Sequence, residues 1–125
     1  MKRIMVVDDE PDQILTIEYS LKNKDDEFEI IPAKDGKECL EKLYSAEELP
    51  DLILLDIMMP GMNGFEVYDN IKSDRYLSSI PIVFLTATGD KLDQQLGKTI
   101  AEEFIMKPFD IEDLVDKINR LIKKK

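Results

Sequence analysis

Short apolar runs alternate with amphipathic stretches five times along this chain, and that alternation restricts the fold more than any other feature. Ile4-Met5-Val6-Val7 is stopped by Asp8-Asp9-Glu10-Pro11 and reads as a strand buried on both faces. After Pro11, Ile14, Leu15, Ile17 and Leu21 recur at helical spacing. Phe28-Glu29-Ile30-Ile31 is a second strand. Residues 36–44, with Cys39, Leu40, Leu43 and Tyr44 on one face, make a second helix. Leu52-Ile53-Leu54-Leu55, closed by Asp56, is the third strand, and residues 63–72, carrying Phe65, Val67, Tyr68 and Ile71, are the third helix. A polar break at 74–79 leads to a fourth strand, Pro81-Ile82-Val83-Phe84-Leu85, ended by Thr86. Residues 89–96 form a short, polar, Gly-bounded helix, and 103–106 the fifth strand. In the last helix Ile111, Leu114, Val115, Ile118, Leu121 and Ile122 follow i, i+3, i+4, i+7 spacing, with Asp110 as N-cap.

Parallel neighbours need right-handed crossovers, and a one-sided stack would leave half the sheet wet. The expected class is therefore α/β, a doubly wound five-stranded parallel sheet with helices on both faces. A length of 125 residues allows one domain with one core, here 1–125, without linker, repeat or low-complexity segment. The hydrophobic content of 43% suits a globular fold, so the 35% charged content does not signal disorder.

Charge and residue types exclude several functions. A net charge of −10 disfavours direct binding to a nucleic-acid phosphate backbone, which relies on clustered cations and released counterions. The one basic run, Lys123-Lys124-Lys125, ends the last helix, where cations suit the negative end of the dipole. Cys39 stands alone and there is no His, so a disulfide frame, a thiolate or zinc site and a His-based triad are excluded. Cys39 reads as a buried structural thiol. Only four apolar residues follow Met1-Lys2-Arg3, too few for a signal-peptide core, and no apolar segment approaches membrane-spanning length. A cytoplasmic location without membrane contact is expected.

In a doubly wound sheet the reactive groups gather at the carboxyl ends of the strands, and polar residues stand there four times: Asp8-Asp9, Asp56, Thr86 and Lys107. With strand order 2-1-3-4-5, strands one and three are neighbours at the switch point. That order brings Asp8, Asp9 and Asp56 into one acidic pocket, with Thr86 and Lys107 on its far side. Carboxylates this close repel one another unless a cation intervenes, and oxygen-only ligands select a hard ion, Mg²⁺ or Mn²⁺. Such an ion makes a phosphoryl group welcome beside an aspartate, which can attack it to form an acyl phosphate. A Thr hydroxyl and a Lys ammonium can then hold the phosphoryl oxygens. Each feature has a blander reading alone: Asp8-Asp9 as a turn and cap, Asp56 as a turn former before Pro60-Gly61, Thr86 as a strand end, Lys107-Pro108 as a solvated loop. Four such accidents at strand ends, in this order, are a poorer account than one site.

The residues Val6-Val7-Asp8-Asp9-Glu10, Leu54-Leu55-Asp56-Ile57-Met58-Met59-Pro60-Gly61-Met62-Asn63-Gly64, Leu85-Thr86-Ala87 and Lys107-Pro108-Phe109, taken as an ordered set, are specific. On them the chain resembles the response-regulator receiver domains of two-component signalling, across its whole length, and the flavodoxin-like fold follows from that resemblance. The resemblance implies that Asp56 accepts a phosphoryl group from a sensor histidine kinase. It also implies that Asp9 and Asp56 ligate Mg²⁺, that Met58 gives it a backbone carbonyl, and that Asp8 holds it through water. Thr86 and Lys107 would bind the phosphoryl oxygens and act as the switch. Phe104 stands at the position of the aromatic that rotates inward behind the Thr, which would remodel the surface of the fourth helix, fifth strand and fifth helix. Such a protein catalyses only its own phosphorylation and dephosphorylation and is not otherwise an enzyme. Its partners would be the kinase and a downstream protein or fused output domain, as a monomer or a phosphorylation-dependent dimer. A free-standing regulator acting by protein contact is the preferred reading of this chain.

Three departures from the family pattern stand out. Phe104 replaces the commoner Tyr, Ile100-Ala101 replaces Gly-Ala before the fifth strand, and Met58 and Thr88 occupy positions that flank the attacking water. Other readings fit less well. A haloacid-dehalogenase phosphatase needs a second Asp where Met58 stands. A flavin module would place its phosphate loop after the first strand, where this chain has acids. The main alternative is a receiver-like interaction module that no longer accepts phosphate, yet none of the acids nor the Lys is missing.

Overall fold

The computed structural model describes residues 1–86, 103–106 and 109–123. Strands β1 (Lys2–Val7), β2 (Phe28–Ala33), β3 (Leu52–Leu55), β4 (Ile82–Thr86) and β5 (Glu103–Met106) form one sheet in the order β2-β1-β3-β4-β5. Every pairing is parallel. Helices α1 (Pro11–Lys24), α2 (Gly36–Ser45) and α3 (Gly64–Lys72) and the C-terminal helix (Ile111–Lys123) cover its two faces.

The apolar runs are continuous because successive side chains point to opposite faces and both faces are covered. Ile4, Val6, Leu52, Leu54, Val83, Leu85 and Ile105 join Ile14, Ile17 and Leu21 of α1 and Leu114, Ile118 and Leu121 of the C-terminal helix in one core. Met5, Val7, Ile53, Leu55, Ile82 and Phe84 join Cys39 and Leu43 of α2 and Val67 and Ile71 of α3 in the other. The doubly wound architecture expected from the alternation is the one observed.

Helix starts are set by side-chain caps. The Asp35 carboxylate accepts from Glu38 N–H at 2.8 Å, and Asp110 accepts from Glu112 N–H at 2.8 Å, as its N-cap reading required. Asn63 and Glu66 form a reciprocal capping box at α3. α1 starts differently: Pro11, with its preset φ, opens it, and Glu10 at the N-cap position makes no side-chain cap bond. Two details depart from the sequence reading. Leu15 and Tyr44 sit on solvent, because each lies one step round the helix from the buried stripe. β2 runs on through Pro32 to Ala33, which an edge strand tolerates because a missing N–H can face away from its one neighbour. The helix expected at 89–96 lies outside the described residues, as do Ile100-Ala101 and the Lys124-Lys125 part of the basic run.

Cys39 is fully buried, its Sγ 3.7 Å from Met5 Sδ. Burial pushes its thiol up from 9.0 to about 12. At pH 9.0, where an ordinary thiol is half ionised, the native protein should resist alkylation by iodoacetamide while the urea-unfolded protein reacts. Because the folded value lies above the unfolded one, this group's contribution to stability is intact below pH 9.0. It is lost as pH rises from there towards about 12. Rapid labelling of native protein would contradict the burial.

Candidate functional site

The parallel ladder brings the acids together. Val7 pairs with Leu55, so Asp8 and Asp56 are the next residues on adjacent strands. Asp8 N–H donates to Ala33 O and Asp56 N–H to Val7 O, each at 3.0 Å, carrying the ladder one step past the strands. Both carboxylate residues are buried, Asp8 at 2% and Asp56 at 7% exposure, the two buried charged residues among those described. A charged pair this deep is retained only where something compensates it.

Beyond β1 the chain turns sharply, with Asp8 Oδ1 accepting from Glu10 N–H at 3.0 Å. The turn gathers Asp8, Asp9 and Glu10 so that one carboxylate oxygen from each lies within 4.8 Å of the others. The sequence reading had paired Asp8 and Asp9 with Asp56 and given Glu10 no role. The signal was there, a third acid two residues after Asp8, but it needs the turn to bring the side chain back. These donors fit a hard divalent cation: all are oxygens, and the one thiol is buried under α2.

The loop from Asp56 to α3 is closely bound to the site. Met58 N–H donates to Asp56 Oδ1 at 3.3 Å, orienting the carboxylate, while the Met58 side chain projects to solvent. Ile57 and Met59 on either side are buried and hold the loop down. Gly61 takes φ +77°, the one positive φ among the described residues, and turns the chain back. Gly64 N–H then donates to Ile57 O at 2.8 Å. A Cβ on Gly64 would lie 2.4 Å from the Asp56 carbonyl oxygen and 2.7 Å from Ile57 Cα, so α3 begins in direct backbone contact with the acid-bearing segment.

On the far side, Leu55 pairs with Phe84 and Thr86 with Met106, so the backbone of Thr86 lies at the carboxyl end of β4, beside the β3 terminus. Phe104 is half-buried opposite Phe84, ring centroids 6.4 Å apart. Phe84 in turn contacts Phe65 at 5.3 Å and Tyr68 at 5.7 Å, joining β5 to α3 through one aromatic cluster. Lys107 and Thr88 lie outside the described residues. No helix among the described residues is long and apolar enough to cross a membrane.

Known proteins match this chain in sequence and in fold. The sequence matches the response regulator receiver domain family over residues 4–119. It is 37% identical to the DNA-binding response regulator MtrA of Mycolicibacterium smegmatis over 126 aligned residues, covering 98% of this chain and 51% of that protein. It is 32% identical to the alkaline phosphatase synthesis transcriptional regulatory protein PhoP of Bacillus subtilis, covering 98% of this chain and 49% of that one. The chain thus spans about half the length of these curated relatives. Among solved structures, response regulator TrrA of Thermotoga maritima, in complex with Mg²⁺ and BeF, superposes with a TM-score of 0.82 at 36% identity over 97% of this chain and 99% of that one. With fold and sequence in agreement over nearly the full length, this chain belongs to the response regulator receiver domains of two-component signal transduction.

Proposed function

We propose that Asp56 is the phosphoacceptor, taking a phosphoryl group from the phosphohistidine of a sensor kinase. The observation that carries this is a buried carboxylate at the end of the central strand, beside Asp8 and the Asp8-Asp9-Glu10 cluster. An Asp56 carboxylate oxygen attacks phosphorus, the P–N bond breaks, and the imidazole leaves with the electron pair and takes up a proton. Asp8, Asp9 and Asp56, with the Met58 carbonyl, would hold Mg²⁺, or Mn²⁺ in its place, and Glu10 adds a further oxygen to the same cluster. The bound ion supplies positive charge that offsets repulsion between the acids and the incoming phosphoryl oxygens. The TrrA complex with Mg²⁺ supports this choice of ion.

Thr86 and Lys107 would bind the phosphoryl oxygens, and Phe104 would follow Thr86 inward, changing the surface of β5 and the C-terminal helix. That surface would signal to a downstream protein or output domain in the cytoplasm. The chain turns over no other substrate. Lys107→Ala is expected to take up phosphoryl without the surface change, read as loss of phosphorylation-dependent amide-exchange differences on β5 and the C-terminal helix.

Intact mass after incubation with acetyl phosphate and Mg²⁺ tests the proposal. One adduct, absent with EDTA and absent in Asp56→Asn, is expected; no adduct on folded wild-type protein would favour a phosphate-independent interaction module. Neither Met58 nor Thr88 offers an amide or acid to orient an attacking water. Once donor is removed the adduct should therefore persist for minutes or longer, and loss within seconds would contradict this.

A further inference from the structure

Of the methionines near Asp56, Met58 is the one open to an oxidant. Thiols are usually the first protein groups to meet a peroxide, because the thiolate is the reactive form. Here the one thiol, Cys39, is fully buried and stays protonated. Thioethers are left. Met5 and Met59 are buried and Met62 is packed against the core, whereas Met58 is 60% exposed. Met58 also stands two residues from Asp56, with its own N–H on the Asp56 carboxylate. The other exposed thioethers are Met1, at the start of β1, and Met106, at the end of β5.

We propose that Met58 is a redox modification site at which a peroxide forms the sulfoxide and so shortens the lifetime of a phosphoryl group on Asp56. The Met58 sulfur attacks one peroxide oxygen with its lone pair, the O–O bond breaks, and the second oxygen leaves as water after protonation. Sulfur is oxidised by two electrons and the peroxide is reduced. The product replaces a weak acceptor with a strongly polar S=O oxygen on a residue whose backbone N–H already holds the Asp56 carboxylate. That oxygen can accept a hydrogen bond from a water and align it for attack on the acyl phosphate, a task the thioether performs poorly. Methionine sulfoxide is reducible, so the change is reversible. The effect on lifetime rests on the phosphoacceptor reading of Asp56; the selectivity of oxidation does not.

Limited hydrogen peroxide treatment followed by peptide mass mapping should place an added oxygen on Met58 well before Met59, Met62 or Met5. Treated and untreated protein is then phosphorylated with acetyl phosphate and Mg²⁺, the donor removed, and adduct loss timed by intact mass. Loss should be several-fold faster after peroxide in the wild type. In Met58→Leu the rates before and after peroxide should agree, which separates Met58 from Met1 and Met106. Met58→Gln, which carries a permanent amide oxygen, should lose phosphoryl faster than Met58→Leu without peroxide. Oxidation of Met59 ahead of Met58, or equal acceleration in wild type and Met58→Leu, would overturn the inference alone. Failure of untreated wild type to form any adduct would overturn the phosphoacceptor reading, and the lifetime effect with it.

Discussion

Asp56→Asn is expected to take up no phosphoryl group from acetyl phosphate while remaining fully folded. The two side chains have nearly the same shape, but the amide oxygen is not a nucleophile towards phosphorus. The environment explains why the fold survives. Asp56 is 7% exposed and lies beside the buried Asp8, so a neutral amide of the same shape costs less to bury. The bond from Met58 N–H to Oδ1 can be kept by the Asn oxygen. Thermal or urea unfolding without added metal should show unchanged or slightly raised stability, by about 1 kcal/mol or less. Uptake of one phosphoryl group at the wild-type rate would show that the acceptor is another residue. A large loss of stability would mean that the fold depends on the charge at this position.

Gly64→Ala should be the most damaging single-methyl change near the site. The added Cβ meets Asp56 O at 2.4 Å, Ile57 Cα at 2.7 Å and Asp56 C at 3.0 Å, all backbone atoms that no rotamer change can move. Relief requires α3 to back away from β3. That movement stretches the 2.8 Å bond from Gly64 N–H to Ile57 O and loosens the loop that orients the carboxylate. A loss of about 2–3 kcal/mol is expected for such overpacking, which for a domain of this size lowers the midpoint by roughly 10 °C. Phosphorylation should slow in the fraction that stays folded. Gly61→Ala is the informative contrast, since nothing lies within 4 Å of its added Cβ and only the φ of +77° opposes it. It should lose about 1 kcal/mol. Equal effects at the two glycines would show that backbone strain, not contact with the Asp56 segment, dominates at both.

The elements were legible in the sequence wherever one local pattern decided them. Asp110 before the spaced apolar residues of the last helix, and the run Leu52-Ile53-Leu54-Leu55 ahead of Asp56, each state their structure within a dozen residues, because period and cap are local properties. Burial of particular side chains was less legible. Leu15 and Leu21 are the same residue type on one helix, yet one faces water and the other the core, and 100° of helical rotation per residue separates such outcomes.

The strand-end positions of Asp8, Asp56 and Thr86 were likewise readable, and strand order 2-1-3-4-5 then implied their neighbourhood. Which acids share one cluster was not readable. Glu10 joins Asp8 and Asp9 only because Asp8 accepts its N–H and turns the chain back, and Gly64 matters only because α3 lands on the backbone of Asp56. Sequence by itself determined the element order, the two-faced core and the acids available for chemistry, since these follow from periodicity and residue type. Only the tertiary structure decided which oxygens converge, which glycine has no room for a methyl and which methionines reach solvent. Those are distances between atoms far apart in the chain, and no local preference encodes them.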